Sequence, residues 1–181
     1  MTEDIIFAGF GGQGIMLMGK ILARAALLEN KAVTWLPSYG AEVRGGTAHC
    51  MIKISDKLIA SPFIEYPDTF CAMNQPSLNK FTARIKNKGL LIINSSLAKK
   101  IPRRKNVRIF SVPLTDIAVG LGNIRVANTI ALGVYVAKKK IVSLKSIVRA
   151  MKEIAPPDKR ALLEINQQAL EKGFTLGQSH D

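Results

Sequence analysis

A glycine-rich turn near the start of the chain is the first stretch whose residue types suit ligand binding. Gly9, Gly11 and Gly14 fit the spacing G-x-G-x-x-G, and Gly12 and Gln13 lie between the last two of them. Glycines at this spacing let a backbone approach a pyrophosphate, and a helix that begins there offers unpaired N–H groups to an anion. The turn therefore predicts contact with a phosphate or another anion. The alternative is that the glycines serve only tight strand-to-helix packing, with Gln13 as an exposed residue at the helix start.

One residue that a dinucleotide-binding turn needs is missing. NAD sites place an acidic side chain at the end of the second strand, about 20 residues further on, to hold the ribose hydroxyls. The second strand predicted at 32–36 ends in Pro37 and Ser38, and Glu29 lies before it at the end of the helix. NAD binding therefore loses much of its support.

A second loop, at 37–46, combines an aromatic ring, both charges and two adjacent glycines. Its candidate binding residues are Tyr39, Glu42, Arg44, Gly45 and Gly46. An arginine offers five donors in a fixed fork, and the glycines beside it let the backbone come close to the same anion. Glu42 either orients or neutralises the guanidinium of Arg44. The alternative is an ordinary surface loop whose ion pair contributes less than about 1 kcal/mol.

The rest of the sequence offers no standard catalytic set. It contains no nucleophile elbow, Walker lysine, H-E-x-x-H or paired acidic motif. Cys50 and Cys71 lack the spacing of zinc or iron–sulfur ligands, and the histidines are His49 and His180. We therefore predict no catalytic residue and no metal ligand in this chain, and we expect other chains to hold the reactive groups.

Alternating strands and helices are predicted to position both loops. The strands are expected at 5–8, 32–36, 69–73, 90–94 and 107–112, and the helices at 15–28, 76–85, 123–137, from 143, and from 158 to Gly173. Alternation over 47–54, followed by a turn at 55–57 into 58–61, predicts an inserted β-hairpin. We expect an α/β fold, a three-layer α/β/α arrangement on a mixed, mostly parallel sheet with a Rossmann-like first βα turn. The length favours a single domain over 1–181.

The net charge of +13 lies entirely in the second half of the chain. Basic and acidic residues balance up to position 83, whereas 84–108 contains nine basic residues and no acidic one. Such a surface can attract an acidic protein, a phosphorylated ligand or nucleic acid, or can simply be solvated. No apolar run is long enough to span a bilayer, and the start carries no basic signal-peptide region, so a cytoplasmic protein is expected.

Together the two loops resemble those of a known family. The stretch GFGGQGIMLMGKILARAA, followed by SYGAEVRGGTAHCMIKISDKLIASPFIEYPD, is similar to the gamma subunit of 2-oxoacid:ferredoxin oxidoreductases. Asn128 and Gly133 match the N-x4-G position that this family has in a later helix. The resemblance covers most of the chain, and the pair of motifs is far more specific than either motif alone.

The resemblance implies a subunit of a heterooligomeric enzyme that oxidatively decarboxylates a 2-oxoacid to its acyl-CoA and passes the electrons to ferredoxin. The wording AEVRGGTA and NQPSL leans toward the 2-oxoglutarate branch. By motif match, the turn at 9–14 lies near the cofactor and the loop at 39–46 faces it, with Arg44 expected to contact a coenzyme A phosphate or a substrate carboxylate. Thiamine diphosphate, magnesium and 4Fe-4S clusters are expected on alpha and beta partner subunits, with a delta subunit left open.

Two other classes of protein stay open on the sequence. A free-standing nucleotide-dependent oxidoreductase would use the first turn but lacks the ribose-binding acid. A basic nucleic-acid-binding protein would explain the charge, but no aromatic residues are interleaved with the basic cluster at 99–108. The resemblance implies neither a nucleic-acid partner nor a membrane.

Overall fold

One mixed β-sheet runs through the part of the chain that the computed structural model describes, residues 1–38 and 47–179, without the side chains of 158–160. Its strands are β1 (Thr2–Gly9), β2 (Ala32–Ser38), β3 (Ala48–Ser55), β4 (Thr69–Ala72), β5 (Leu90–Asn94) and β6 (Arg108–Val112). They lie in the order β2-β3-β1-β4-β5-β6.

The sheet is mostly parallel. β1, β4, β5 and β6 are parallel neighbours, whereas β3 runs antiparallel to both β1 and β2. Every residue of β4 and β5 is buried, as expected for parallel strands that are covered on both faces. The predicted mixed, mostly parallel sheet is therefore confirmed.

Helices cover both faces of this sheet. Within the described residues they are α1 (Ile15–Leu28), α2 (Gln75–Phe81), α3 (Leu114–Gly120), α4 (Ala127–Lys139), α5 (Leu144–Ile154) and α6 (Leu163–Gln178). One face packs against all of them except α2 in a core that includes Phe7 and Tyr135, whose rings meet edge to face at 5.9 Å. The other face packs against α2 through Phe70 and Phe81. These layers confirm the predicted three-layer α/β fold.

The second arm of the predicted hairpin is wrong. Residues 58–61 form no strand, and β3 pairs instead with β2 on one side and β1 on the other. Because both edges of β3 are already occupied, a strand at 58–61 has no free edge of β3 to join. The antiparallel hairpin of this fold is β2–β3, connected through the loop that begins after Ser38.

The predicted end of the last helix at Gly173 is also wrong. The segment from Asp158 opens as a 3₁₀ turn, Pro157–Leu162, and α6 then continues past Gly173 to Gln178. A Cβ on Gly173 would overlap the carbonyl oxygen of Ile130 in α4. The glycine therefore permits close packing of two helices and does not end one.

Among the described residues, no helix combines the length and the apolar character needed to cross a lipid bilayer.

Candidate functional site

The predicted glycine turn lies at the carboxyl end of the parallel strands. The chain leaves β1 toward α1 on one face of the sheet and leaves the neighbouring β4 toward α2 on the other face. In open α/β sheets this divergence opens a crevice beyond the strand ends, where ligands bind. The turn at 9–14 forms one side of that crevice.

Two glycines of the turn have backbone conformations that favour glycine. Gly12 has φ 89° and Gly14 has φ 71°, whereas Gly9 ends β1 and Gly11 lies exposed in the turn. Gly14 is the N-cap of α1, but no side chain caps this helix and its first turn holds no acidic residue. The amino end of α1 is therefore left without a side-chain anion from its own first turn.

The side chain of Gln13 braces the turn from within. Its Oε1 accepts from the backbone N–H of Phe10 at 2.6 Å and from Asn74 Nδ2 at 3.5 Å. Its Nε2 donates to the carbonyl oxygen of Met73, the residue after β4, at 3.3 Å. Gln13 is half-buried. It joins the carboxyl ends of β1 and β4 and is not the exposed helix-start residue of the alternative interpretation.

The two positions of the N-x4-G match have separate structural roles. Asn128 Nδ2 donates to the carbonyl oxygen of Gly14 at 3.1 Å and so ties α4 to the start of α1. Gly133 lies one turn further along α4, where a Cβ would overlap the carbonyl oxygen of Leu170 in α6. Asn128 therefore supports the glycine turn from behind, whereas Gly133 permits close packing of α4 against α6.

A buried amide at the end of β5 holds two residues that line the cleft, Met73 and Thr115. Asn94 Nδ2 donates to the carbonyl oxygen of Met73 at 3.2 Å and to Thr115 Oγ1 at 2.8 Å. Its Oδ1 accepts from the backbone N–H of Thr115 at 3.3 Å. Sequence reasoning missed Asn94, although an asparagine that ends the apolar run Leu90–Asn94 was a visible signal.

A cleft of about 160 Å³ opens between these elements. Its walls are Gly12 and Gln13 on one side and Thr115 and Arg125 on the other, and Met73 and Ala127 complete the lining. Leu97 and Ile124 also line it, and both side chains are substantially exposed, at 43% and 57%. Sequence reasoning predicted the glycine wall and missed Thr115 and Arg125, which come from a different part of the chain.

A second groove, of about 120 Å³, lies between α1 and the α5–α6 connection. Its lining is apolar apart from Asn166, and it includes Leu17 and Met151. It lies away from the strand ends and contains no charged side chain among the residues that line it. We therefore take the cleft beside the glycine turn, whose lining includes Arg125 and Thr115, as the candidate site.

The second predicted loop falls outside the described residues. This applies to Tyr39, Glu42, Arg44, Gly45 and Gly46. Its flanking strands are described: Ser38 pairs with His49, and Gly9 pairs with Ala48. The strands on either side of the loop therefore end at the same sheet edge as the glycine turn.

The pKa shifts of His49, Cys50 and Cys71 do not favour a catalytic role for these residues. Burial lowers the pKa of His49, and the positive charges of Lys80 and Arg84 lower it further. Burial also raises the pKa of both Cys50 and Cys71 to about 12, so neither is a reactive thiolate at neutral pH. Both cysteines are buried and unpaired.

Comparison with known proteins agrees with this geometry. The profile of the family described as pyruvate ferredoxin/flavodoxin oxidoreductase matches residues 4–176. The ketoisovalerate oxidoreductase subunit VorA of Methanothermobacter marburgensis is 37% identical over 166 residues, which are 92% of this chain and 34% of the relative. The chain therefore spans about a third of the length of the first curated relatives that it matches.

Other relatives match along nearly their whole length. The 2-oxoglutarate synthase subunit KorC of Methanocaldococcus jannaschii is 34% identical over 97% of this chain and 94% of the relative. The solved gamma subunit of a keto/oxoacid ferredoxin oxidoreductase from Geobacter sulfurreducens superposes with a TM-score of 0.84 at 32% identity, over 97% of this chain and 98% of that one.

A further solved structure shares the fold. It is the 2-oxoglutarate:ferredoxin oxidoreductase from Magnetococcus marinus, solved with 2-oxoglutarate, coenzyme A and succinyl-CoA bound. It superposes with a TM-score of 0.90 at 22% identity, over 99% of this chain and 32% of that one. The chain belongs to the pyruvate ferredoxin/flavodoxin oxidoreductase family and corresponds to its gamma-type chains.

Proposed function

We propose that this chain is the gamma-type subunit of a cytoplasmic 2-oxoacid:ferredoxin oxidoreductase. The complex would oxidise a 2-oxoacid with coenzyme A to acyl-CoA and carbon dioxide, and the two electrons would pass to ferredoxin. The observation that carries the proposal is the cleft at the strand ends. Its described lining offers hydrogen-bond donors but no carboxylate, imidazole or thiol, so it suits binding and positioning better than proton transfer.

The substrate we propose is 2-oxoglutarate. The relative from Methanocaldococcus jannaschii, a 2-oxoglutarate synthase subunit, supports this substrate. The amino-acid sequences AEVRGGTA at 41–48 and NQPSL at 74–78 support it as well. Other relatives are named for ketoisovalerate or for pyruvate and ketoisovalerate. Assays therefore need all three oxoacids side by side.

Coenzyme A is the ligand we propose for this chain within the complex. The Magnetococcus marinus enzyme, solved with coenzyme A bound, supports this assignment. Gly9, Gly11, Gly12, Gln13 and Gly14 would form the turn beside the coenzyme, and the loop at 39–46, with Arg44, would face it. We assign thiamine diphosphate, magnesium and the 4Fe-4S clusters to partner alpha and beta subunits, and ferredoxin as the acceptor.

Purification of the tagged chain from its native host in mild salt tests this function. We expect it to bring down subunits that carry thiamine diphosphate and iron–sulfur clusters, with dye reduction that requires both 2-oxoglutarate and coenzyme A. The same purification from an untagged strain is the control. Recovery of the chain alone, without activity, would contradict the proposal.

That negative result would reopen the two rival classes. Titration with NAD would then test a nucleotide-dependent oxidoreductase. A steep loss of DNA affinity with increasing salt would be the signature of a nucleic-acid-binding protein.

A further inference from the structure

We propose that the cleft binds one phosphate group of a phosphorylated ligand, with the guanidinium of Arg125 and the hydroxyl of Thr115 as its donors. This inference deepens the proposed function, because coenzyme A is a phosphorylated ligand. It adds a phosphate contact by two residues outside the family motifs to the anion contact proposed for Arg44.

The size of the cleft limits what enters it. Its volume is about 160 Å³, whereas sites that enclose a whole small molecule span roughly 300–1,000 Å³. The cleft therefore holds one group of a larger ligand and leaves the remainder outside. The exposed apolar side chains of Leu97 and Ile124 are available to pack against that remainder.

The hydrogen bonds of Asn94 make the Thr115 hydroxyl a donor. Asn94 is fully buried, and its Nδ2 donates to Thr115 Oγ1 at 2.8 Å. The orientation of this amide is fixed, because its Oδ1 accepts from the backbone N–H of Thr115. Since Thr115 Oγ1 already accepts one bond, its own proton is available to a ligand in the cleft that it lines.

The guanidinium of Arg125 is available to the same ligand. Its side chain forms no ion pair or hydrogen bond with any other part of the described chain, and the described lining of the cleft contains no acidic side chain. Its backbone is held, because Asn123 Oδ1 accepts from the Arg125 N–H at 3.0 Å and Val126 is buried. The guanidinium of Arg125 and the donor hydroxyl of Thr115 together favour binding of an oxyanion such as phosphate.

The opposite wall leaves room for that anion. A Cβ on Gly12 would meet no atom within 4 Å, so the space in front of this backbone is open. Gln13 braces this wall, because its Oε1 accepts from the N–H of Phe10 and its Nε2 donates to the carbonyl oxygen of Met73. The two donors and the open glycine therefore line one small cleft, whose remaining lining is mostly apolar.

Calorimetric titration of the full chain with inorganic pyrophosphate tests the inference. It measures binding directly and needs no enzymatic turnover. We expect the wild-type chain to bind pyrophosphate and Arg125→Gln to bind it about tenfold more weakly, the change expected from the loss of a charge-assisted hydrogen bond. Thr115→Val should also weaken binding, whereas Thr115→Ser retains the hydroxyl and should bind like the wild type.

Arg103→Gln is the matched control, because it removes the same charge from an exposed position outside the cleft lining. Its affinity should stay within about twofold of the wild type, since a remote exposed charge is screened by salt. The inference is overturned if the wild-type chain does not bind pyrophosphate, if Arg125→Gln binds normally, or if Arg103→Gln loses as much affinity. Failure of the proposed function is a separate outcome, because it concerns the activity of the co-purified complex.

Within that complex, Arg125→Gln should raise the KM for coenzyme A and leave kcat and the KM for the 2-oxoacid close to their wild-type values. A rise in the KM for the 2-oxoacid alone would assign the cleft to a substrate carboxylate and overturn the phosphate assignment.

Discussion

Asn128 Nδ2 donates to the carbonyl oxygen of Gly14 at 3.1 Å. This bond joins α4 to the N-cap residue of α1, although the two residues lie 114 positions apart in the sequence. The same oxygen accepts from the N–H of Met18, which is the first bond of the helix. One carbonyl therefore sets both the start of α1 and its distance from α4. The glycine turn is held from outside as well as by its own backbone.

Removal of this amide should destabilise the fold. We expect Asn128→Ala to lower the free energy of unfolding by about 1–3 kcal/mol, because Asn128 is buried and bonds a backbone carbonyl. Urea unfolding followed by circular dichroism measures the change. Asn79→Ala, whose side chain bonds Gln75 on the exposed surface of α2, is the control and should cost less. Equal losses in both variants would contradict the role of Asn128.

Gly14→Ala and Gly12→Ala should destabilise the fold to different extents. Both positions have positive φ, which costs an alanine about 1–2 kcal/mol. Only at Gly14 would the added Cβ also overlap Asn128, whereas at Gly12 it would meet open space. We therefore expect Gly14→Ala to lower the unfolding midpoint more than Gly12→Ala, and Asn128→Ala to remove part of the difference in a double variant. A larger loss for Gly12→Ala would show that the clash is not the deciding effect.

The contact between α4 and α6 should not tolerate a side chain at Gly173. A Cβ there would overlap backbone atoms of Ile130, which cannot turn aside as a side chain can. We expect Gly173→Ala to lower the free energy of unfolding by about 3 kcal/mol, near the upper range of overpacking effects. Thermal unfolding measures it, with Gly120→Ala as the control, since a Cβ at Gly120 meets nothing within 4 Å. A stable Gly173→Ala variant would mean that the two helices separate easily.

His49 should make stability depend on pH. Burial lowers its pKa below the ordinary 6.5, so the unfolded chain binds more protons at this residue than the folded chain. Its contribution is fully present above pH 6.5 and is lost as the pH falls through the folded pKa. His49→Phe keeps a ring against Phe81, whose ring centroid lies 4.9 Å from that of His49. It should make the urea midpoint depend less on pH below pH 6.5. An unchanged pH profile would contradict this assignment.

Local patterns predicted the elements that depend on neighbours in sequence. The strand, glycine turn and helix over 5–28 were predictable because apolar spacing and glycine positions act within a few residues. The hairpin arm at 58–61 was not, because its fate depends on which strands already occupy the edges of β3. Gly173 has the sequence signature of a helix end, and only the distant backbone of Ile130 explains it.

The candidate site likewise has one part that local sequence predicts and one part that depends on the fold. Its glycine wall could be predicted from spacing, but Thr115 and Arg125 reach it through the order of the strands, which the sequence does not state. Some of the basic side chains also have contacts that the sequence alone does not reveal. Arg104 donates to the carbonyl oxygens of Thr82, Ala83 and Ile85, and Lys139 pairs with Glu3 at 2.9 Å, so part of the charge has structural partners.

Omission and add-back of this chain test the central claim most directly. The partner subunits would be purified without it, and the rate of 2-oxoglutarate-dependent dye reduction measured before and after the chain is added, with and without coenzyme A. The proposed function predicts a coenzyme A-dependent rate that appears only when the chain is present. An equal rate without the chain would contradict its place in the enzyme.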